Sequence, residues 1–160
     1  MAKKKGKKSE GPKAIATNRK ARHDYAILET FEAGMKLTGS EVKSLRQGKA
    51  TIEQSFAIVE DGEVFLIGMH IPPYPQAGYA QHEPTRKRKL LLHRNEISKL
   101  VGKTREKGQT IIPLKCYFRG GHAKIEIALA KGKREYDRRE DIKKRDFERS
   151  VQRTFHHRGD

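Results

Sequence analysis

The residues of this chain able to do acid–base, nucleophilic or metal chemistry are seven histidines, one cysteine and twenty carboxylates. Their spacing decides among those uses. Cys116 is the only cysteine, so no internal disulfide can form and no set of thiolates can hold a zinc ion. His156 and His157 are adjacent in the C-terminal tail without a third ligand, which reads as a solvated pair rather than a metal site. His23 and Asp24 offer a base and a carboxylate. Sequence neighbours rarely orient one another, however, and no Ser or Cys nucleophile is placed beside them, so hydrogen bonding to backbone at the start of a strand accounts for the pair. The phosphate-cradling P-loop, Gly-x-Gly-x-x-Gly, His-Glu-x-x-His and the nucleophile elbow do not occur. The expectation is a protein that is not an enzyme and needs no metal, cofactor or small-molecule substrate.

Binding chemistry is better represented. Lys and Arg number 36 against 20 Asp and Glu, a net charge of +16, and so large an excess is most often used to neutralise a polyanion. The cations cluster. Asn18-Arg19-Lys20-Ala21-Arg22 forms one group, and Arg86-Lys87-Arg88-Lys89 forms another that runs into Leu90-Leu91-Leu92, His93 and Arg94. A dense positive patch beside an apolar anchor can grip phosphate and position RNA without reading its sequence. A plain solvated patch is the bland alternative. Tyr74 and Tyr79, set among prolines, either stack on bases or pack their loop down. The longest apolar run, residues 64–69, is far short of the roughly 20 needed to cross a bilayer. The Lys-rich start lacks the apolar stretch of a secretory signal. Cytoplasmic residence without a membrane partner is therefore expected.

Three parts must position these groups. Residues 1–17 are low-complexity and Lys-rich, and read as a disordered basic arm. Residues 18–130 read as the folded domain, with β-branched and aromatic runs at 25–31, 56–59, 64–70, 110–118 and 124–129. Asp61-Gly62 and Gly120-Gly121 are hairpin turns. Helices are expected over 38–48 and 93–101, each closed by Gly, and residues 72–84 are too Pro-rich for either element. The fold class is mainly β with inserted helices, a small antiparallel barrel resembling an OB-fold. Residues 131–160 are a basic tail in which Ile142, Phe147, Val151 and Phe155 make a thin apolar stripe. With so little to bury, the tail is expected to be disordered until bound and helical then.

Five segments carry a resemblance. They are Asn18-Arg-Lys-Ala-Arg-His-Asp-Tyr25, Gly34-Met-Lys-Leu-Thr-Gly-Ser-Glu-Val-Lys-Ser-Leu-Arg46, Glu83-Pro-Thr-Arg-Lys-Arg-Lys-Leu-Leu-Leu-His93, Ile112-Pro-Leu-Lys-Cys-Tyr117 and Lys131-Gly-Lys-Arg-Glu-Tyr-Asp-Arg-Arg139. In this order they resemble the signature segments of the small protein B (SmpB) family, the SsrA-binding partners of transfer-messenger RNA (tmRNA). The resemblance implies an OB-like barrel that clasps the tRNA-like end of tmRNA and delivers it to stalled ribosomes for trans-translation. The partners it implies are tmRNA and the ribosome, at the small-subunit decoding centre and messenger channel. It places RNA contacts at Glu41, Leu91 and His93, position 93 being Asn in some members. Glu41 would accept hydrogen bonds from a base edge or hold a basic neighbour such as Lys43, or it is simply a helix-start charge favoured by the dipole. Asn18, Arg19, Lys20, Arg22, Lys43, Arg86, Lys87, Arg88 and Lys89 complete the expected RNA-binding set. The resemblance also implies a ribosome-binding tail through Gly132, Lys133, Arg134, Tyr136, Asp137, Arg138 and Arg139, with Tyr136 standing where other members carry His. A structural ribosomal protein, sharing the composition and basic arms, is the rival reading.

Overall fold

The computed structural model describes residues 12–106, 108–133 and 135–157. The basic arm at 1–11 lies outside the described residues. Strand β1 is Ala14–Thr17, followed by a single helical turn, α1 (Ala21–Asp24), and the long strand β2 (Tyr25–Met35). Helix α2 (Gly39–Arg46) leads to the hairpin of β3 (Phe56–Glu60) and β4 (Glu63–Ile67). A 3-10 turn (Pro75–Ala80) precedes β5 (Arg88–Leu91) and α3 (Arg94–Thr104). The hairpin of β6 (Gln109–Arg119) and β7 (His122–Gly132) follows, and α4 (Glu135–His157) ends the chain's described part.

All pairings are antiparallel, in the order β1-β6-β3-β4-β5-β2-β7, and an added β6–β7 pairing closes the sheet into a barrel with β1 as an extra strand on β6. Closure leaves β1, paired on one side only, as the edge strand among the described residues, and so removes most of the free edge that would otherwise template aggregation. The expected OB-like barrel is thus present. Both hairpin turns are where the sequence puts them, with positive φ at Asp61-Gly62 (51° and 72°) and at Gly120-Gly121 (56° and 76°), the geometry that matches strand twist.

Period-2 alternation sends Phe31, Ala33, Ile125, Ile127 and Leu66 into the barrel. Ile112, Leu114, Ala128 and Ala130 face the other way and form a small outer core under Ala21 of α1. Cys116 is fully buried in the barrel, and desolvation pushes its thiol up to about 12. Iodoacetamide at pH 8 is therefore expected to leave the folded protein unlabelled and to modify it only as it unfolds, read by mass spectrometry.

The structure also changes several expectations. Ala14–Thr17, assigned to the disordered arm, pairs with β6, because its alternating Ala and Ile complete the exposed flank of that strand. Residues 88–91, read as a patch running into an apolar anchor, form β5. Helix α3 runs through Gly102 to Thr104, since Leu100 anchors its last turns in the core. Lys131 and Gly132, assigned to the tail, belong to β7 and pair with Ala26 and Tyr25, so the body ends two residues later than the expected boundary. In α4, Phe147 and Val151 lie four apart on one face. Ile142 lies about 140° round the helix from Phe147 at 100° per residue, so the expected stripe is narrower by one residue.

Candidate nucleic-acid interface

Strand alternation in β5 takes the expected Arg86–Lys89 patch apart. Lys89 and Leu91 point outward while Arg88 and Leu90 point into the barrel, where Arg88 has no solvent exposure. A buried guanidinium must be paired. Its partner is Glu41, equally buried at 0 % exposure, whose carboxylate accepts from Arg88 Nε and, at 2.6 Å, from Arg86. Arg88 also donates to the carbonyls of Met69 (2.6 Å) and Pro84 (3.0 Å). Glu41 closes the α2 capping box, accepting the Thr38 N–H at 3.0 Å. Burial pushes the Glu41 carboxyl up, but the Thr38 N–H and the two arginines outweigh it and hold it below its ordinary range.

Two sequence assignments are corrected here. As placed, Arg88 cannot touch a phosphate, and the Glu41 carboxylate, filled by its own chain, has no base edge to accept from. Glu41 does hold basic neighbours, but they are Arg86 and Arg88 rather than Lys43. Lys43 is exposed and sits 5.5 Å above the Tyr74 ring.

Lys87 and Lys89 are also engaged, with Glu60 (2.5 Å) and Glu63 (2.7 Å). Asn18 is buried. It donates its side-chain N–H to the Pro113 carbonyl (3.1 Å) and its backbone N–H to Leu114 (2.8 Å), clamping the bulge that Pro113 makes in β6. Arg19, Lys20 and Arg22 are exposed on the turn of α1. Tyr79 is fully exposed on the Pro-rich loop. That loop is pinned to α2: buried His82 donates Nε2–H to the Ile71 carbonyl (2.9 Å) and accepts at Nδ1 from the Ser40 hydroxyl (2.8 Å).

Leu91 and His93 remain as outward groups, with Leu91 51 % exposed and the His93 side chain 87 % exposed. They line a groove of about 640 Å³ together with Glu32, Glu96, Ile97 and Lys124. Register explains the assembly: Gly34 of β2 pairs with Leu91 on one side and Lys124 on the other. A Cβ at Gly34 would stand 3.3 Å from the Leu91 Cβ, so glycine keeps that wall close. Glu32 accepts from the Tyr117 hydroxyl and from Arg119 (2.7 Å). Sequence reasoning missed Glu32 and Lys124. Their outward alternation inside strands was the available signal, but it does not say which strands are neighbours.

The tail begins on the body. Gly132 ends β7. Lys133 donates its backbone N–H to the Asp24 carbonyl (2.9 Å) and its ammonium to the Arg22 carbonyl (2.9 Å), and it pairs with Asp141 of α4. Arg134 lies outside the described residues. Tyr136, Asp137 and Arg138 fall in the first turns of α4, and Arg139 is exposed there. Among the described residues no group of His, Cys, Asp or Glu could hold a metal, and no helix is long and apolar enough to cross a membrane.

Residues 15–157 match the family model described as SmpB protein. The SsrA-binding protein of Salinispora tropica is 57% identical over 152 residues, 95% of this chain and 96% of that protein. The SsrA-binding protein of Pelotomaculum thermopropionicum is 60% identical over 146 residues, 91% and 95% of the two chains. A solved chain from work on tmRNA–SmpB at the centre of the bacterial ribosome is 52% identical. It covers 79% of this chain and 92% of its own, with a TM-score of 0.63.

Proposed function

This chain belongs to the SmpB protein family, and from that premise we propose that it is a cytoplasmic adaptor that binds the tRNA-like domain of tmRNA and carries it to stalled ribosomes for trans-translation. It performs no chemistry of its own. The observation that carries this reading is the groove in which exposed Leu91 and His93 stand beside Lys124. An apolar wall, an imidazole with a donor and an acceptor, and a lysine with no ion pair among the described residues suit a sugar, a base edge and a phosphate in turn. Arg19, Lys20 and Arg22 add phosphate contacts at α1. Family membership displaces the rival reading as a structural ribosomal protein. Helix α4 enters the vacant messenger channel, its first turns carrying Tyr136, Asp137, Arg138 and Arg139 to the decoding centre. Gly132 and Lys133 set its direction from the body.

The deciding experiment is crosslinking in cells followed by sequencing of the bound RNA. One dominant tmRNA peak is expected, with the protein substoichiometric on ribosomes. Stoichiometric occupancy with a ribosomal RNA footprint alone would refute the reading. In vitro, about six phosphate contacts predict that affinity falls roughly a thousandfold between 50 and 200 mM salt. His93→Ala should weaken cognate RNA while leaving unrelated RNA unchanged, as measured by competition.

A further inference from the structure

Building on the RNA-binding reading above, we propose that the RNA track does not stop at the His93 groove. It continues over the mouth of the barrel to α2, where Arg46, held against Phe118, and Lys13 grip phosphates of the same RNA.

Surface continuity carries the argument first. Leu91 and Lys124, walls of the His93 groove, also line a second depression bounded by Val42 and Phe118. Phe118 in turn lines a third with Lys13, Arg46 and Gln47. The three depressions therefore form one path rather than three separate sites.

Charge decides what the path fits. Several cations elsewhere on the body are paired internally, Lys87 with Glu60, Lys89 with Glu63, Lys99 with Glu29, Lys115 with Glu126 and Arg119 with Glu32. Lys124, Arg46 and Lys13 make no ion pair among the described residues. Among the described residues no carboxylate stands in the walls of the second or third depression, whereas Glu32, Glu63 and Glu96 line the first. Uncompensated cations following one another on a surface suit a polyanion better than a protein partner, which would be expected to bring paired charges of both signs.

Arg46 is also prepared for the task. Its guanidinium lies 5.5 Å from the Phe118 ring centroid, within cation–π reach, so the ring helps hold the side chain on this path, and a guanidinium can grip a phosphate through two parallel N–H donors.

The test is a double substitution, Lys13→Ala with Arg46→Ala, in the full chain. Both side chains are exposed, so folding should be preserved. Binding to tmRNA should weaken at least about tenfold, and two lost phosphate contacts should lower the slope of log affinity against log salt by about 1.4–1.8. The hydroxyl-radical footprint on the RNA should shorten at one end. Arg46→Lys alone should keep the slope, because the charge remains, yet lose affinity because the flat fork does not. Lys99→Ala with Lys103→Ala, which removes paired lysines of α3, should change binding less than twofold. The proposal is overturned if the Lys13/Arg46 variant binds with unchanged affinity, slope and footprint, or if it impairs only ribosome association. If the unaltered protein shows no preference for tmRNA over unrelated RNA of equal length, the functional reading itself fails, whatever the variants do.

Discussion

Glu41→Ala is expected to destabilise the protein by about 3–5 kcal/mol, because it strands the fully buried Arg88 guanidinium without a counter-ion. The same change opens the α2 capping box. Thermal denaturation should show a fall in Tm of about 6–20 °C, at roughly 2–4 °C per kcal/mol for a chain of this size. Replacing the pair together by apolar residues, Glu41→Leu with Arg88→Met, should recover much of the loss, since no buried charge then remains. A Glu41→Ala variant that melts like the unaltered protein would remove the ion pair from any structural role. An RNA-binding defect in either single variant should therefore track the unfolded fraction rather than a lost contact. Acid stability provides an independent check. The folded Glu41 carboxyl titrates below its ordinary value of 4.5, so its stabilisation is complete above that pH and is lost as pH falls through the folded value. Unfolding should set in below about pH 4.5, and Glu41→Gln should flatten that limb.

Truncation after Lys133 should collapse tagging of stalled nascent chains by more than about a hundredfold while changing tmRNA affinity by less than tenfold, about 1.4 kcal/mol. The cut is placed there because β7 runs to Gly132 and Lys133 is tied to Arg22 and Asp24. A cut after Ala130 would remove the pairs Tyr25↔Gly132 and Ala26↔Lys131, and so confound loss of the tail with damage to the barrel. The shortened protein keeps Leu91, His93 and Lys124, so the RNA groove should survive. A peptide of the tail alone should show little helix by circular dichroism, since Phe147 is 69 % exposed and offers little burial to offset helix nucleation. Full-rate tagging by the truncated protein would sink the proposed role of α4.

Much of this molecule was legible in its sequence, for reasons tied to particular residues. The β2, β3, β4, β6 and β7 runs showed in β-branched and aromatic alternation, and both hairpins in Asp61-Gly62 and Gly120-Gly121. These signals are local, set by side-chain period and by the few residues that tolerate positive φ. Strand β1 was hidden because Ala14–Thr17 has weak propensity and gains its order only from β6. Strand β5 was hidden because the four successive cations Arg86 to Lys89, two of them inside the strand, read as a phosphate-binding patch beside an apolar anchor.

The sequence by itself determined the fold class, the strongly cationic surface, the lack of any motif for catalysis and, through five ordered segments, the family. What only the tertiary structure decided was which charges are available. Arg88 and Lys89 are adjacent cations in the sequence, yet one lies at zero exposure on Glu41 and the other faces solvent beside Glu63. Counting charge cannot separate them, because a cation's use depends on whether a carboxylate distant in the chain is brought against it. The strand register that pairs Gly34 with both Leu91 and Lys124 is likewise set by closure of the barrel, and it alone assembles the groove.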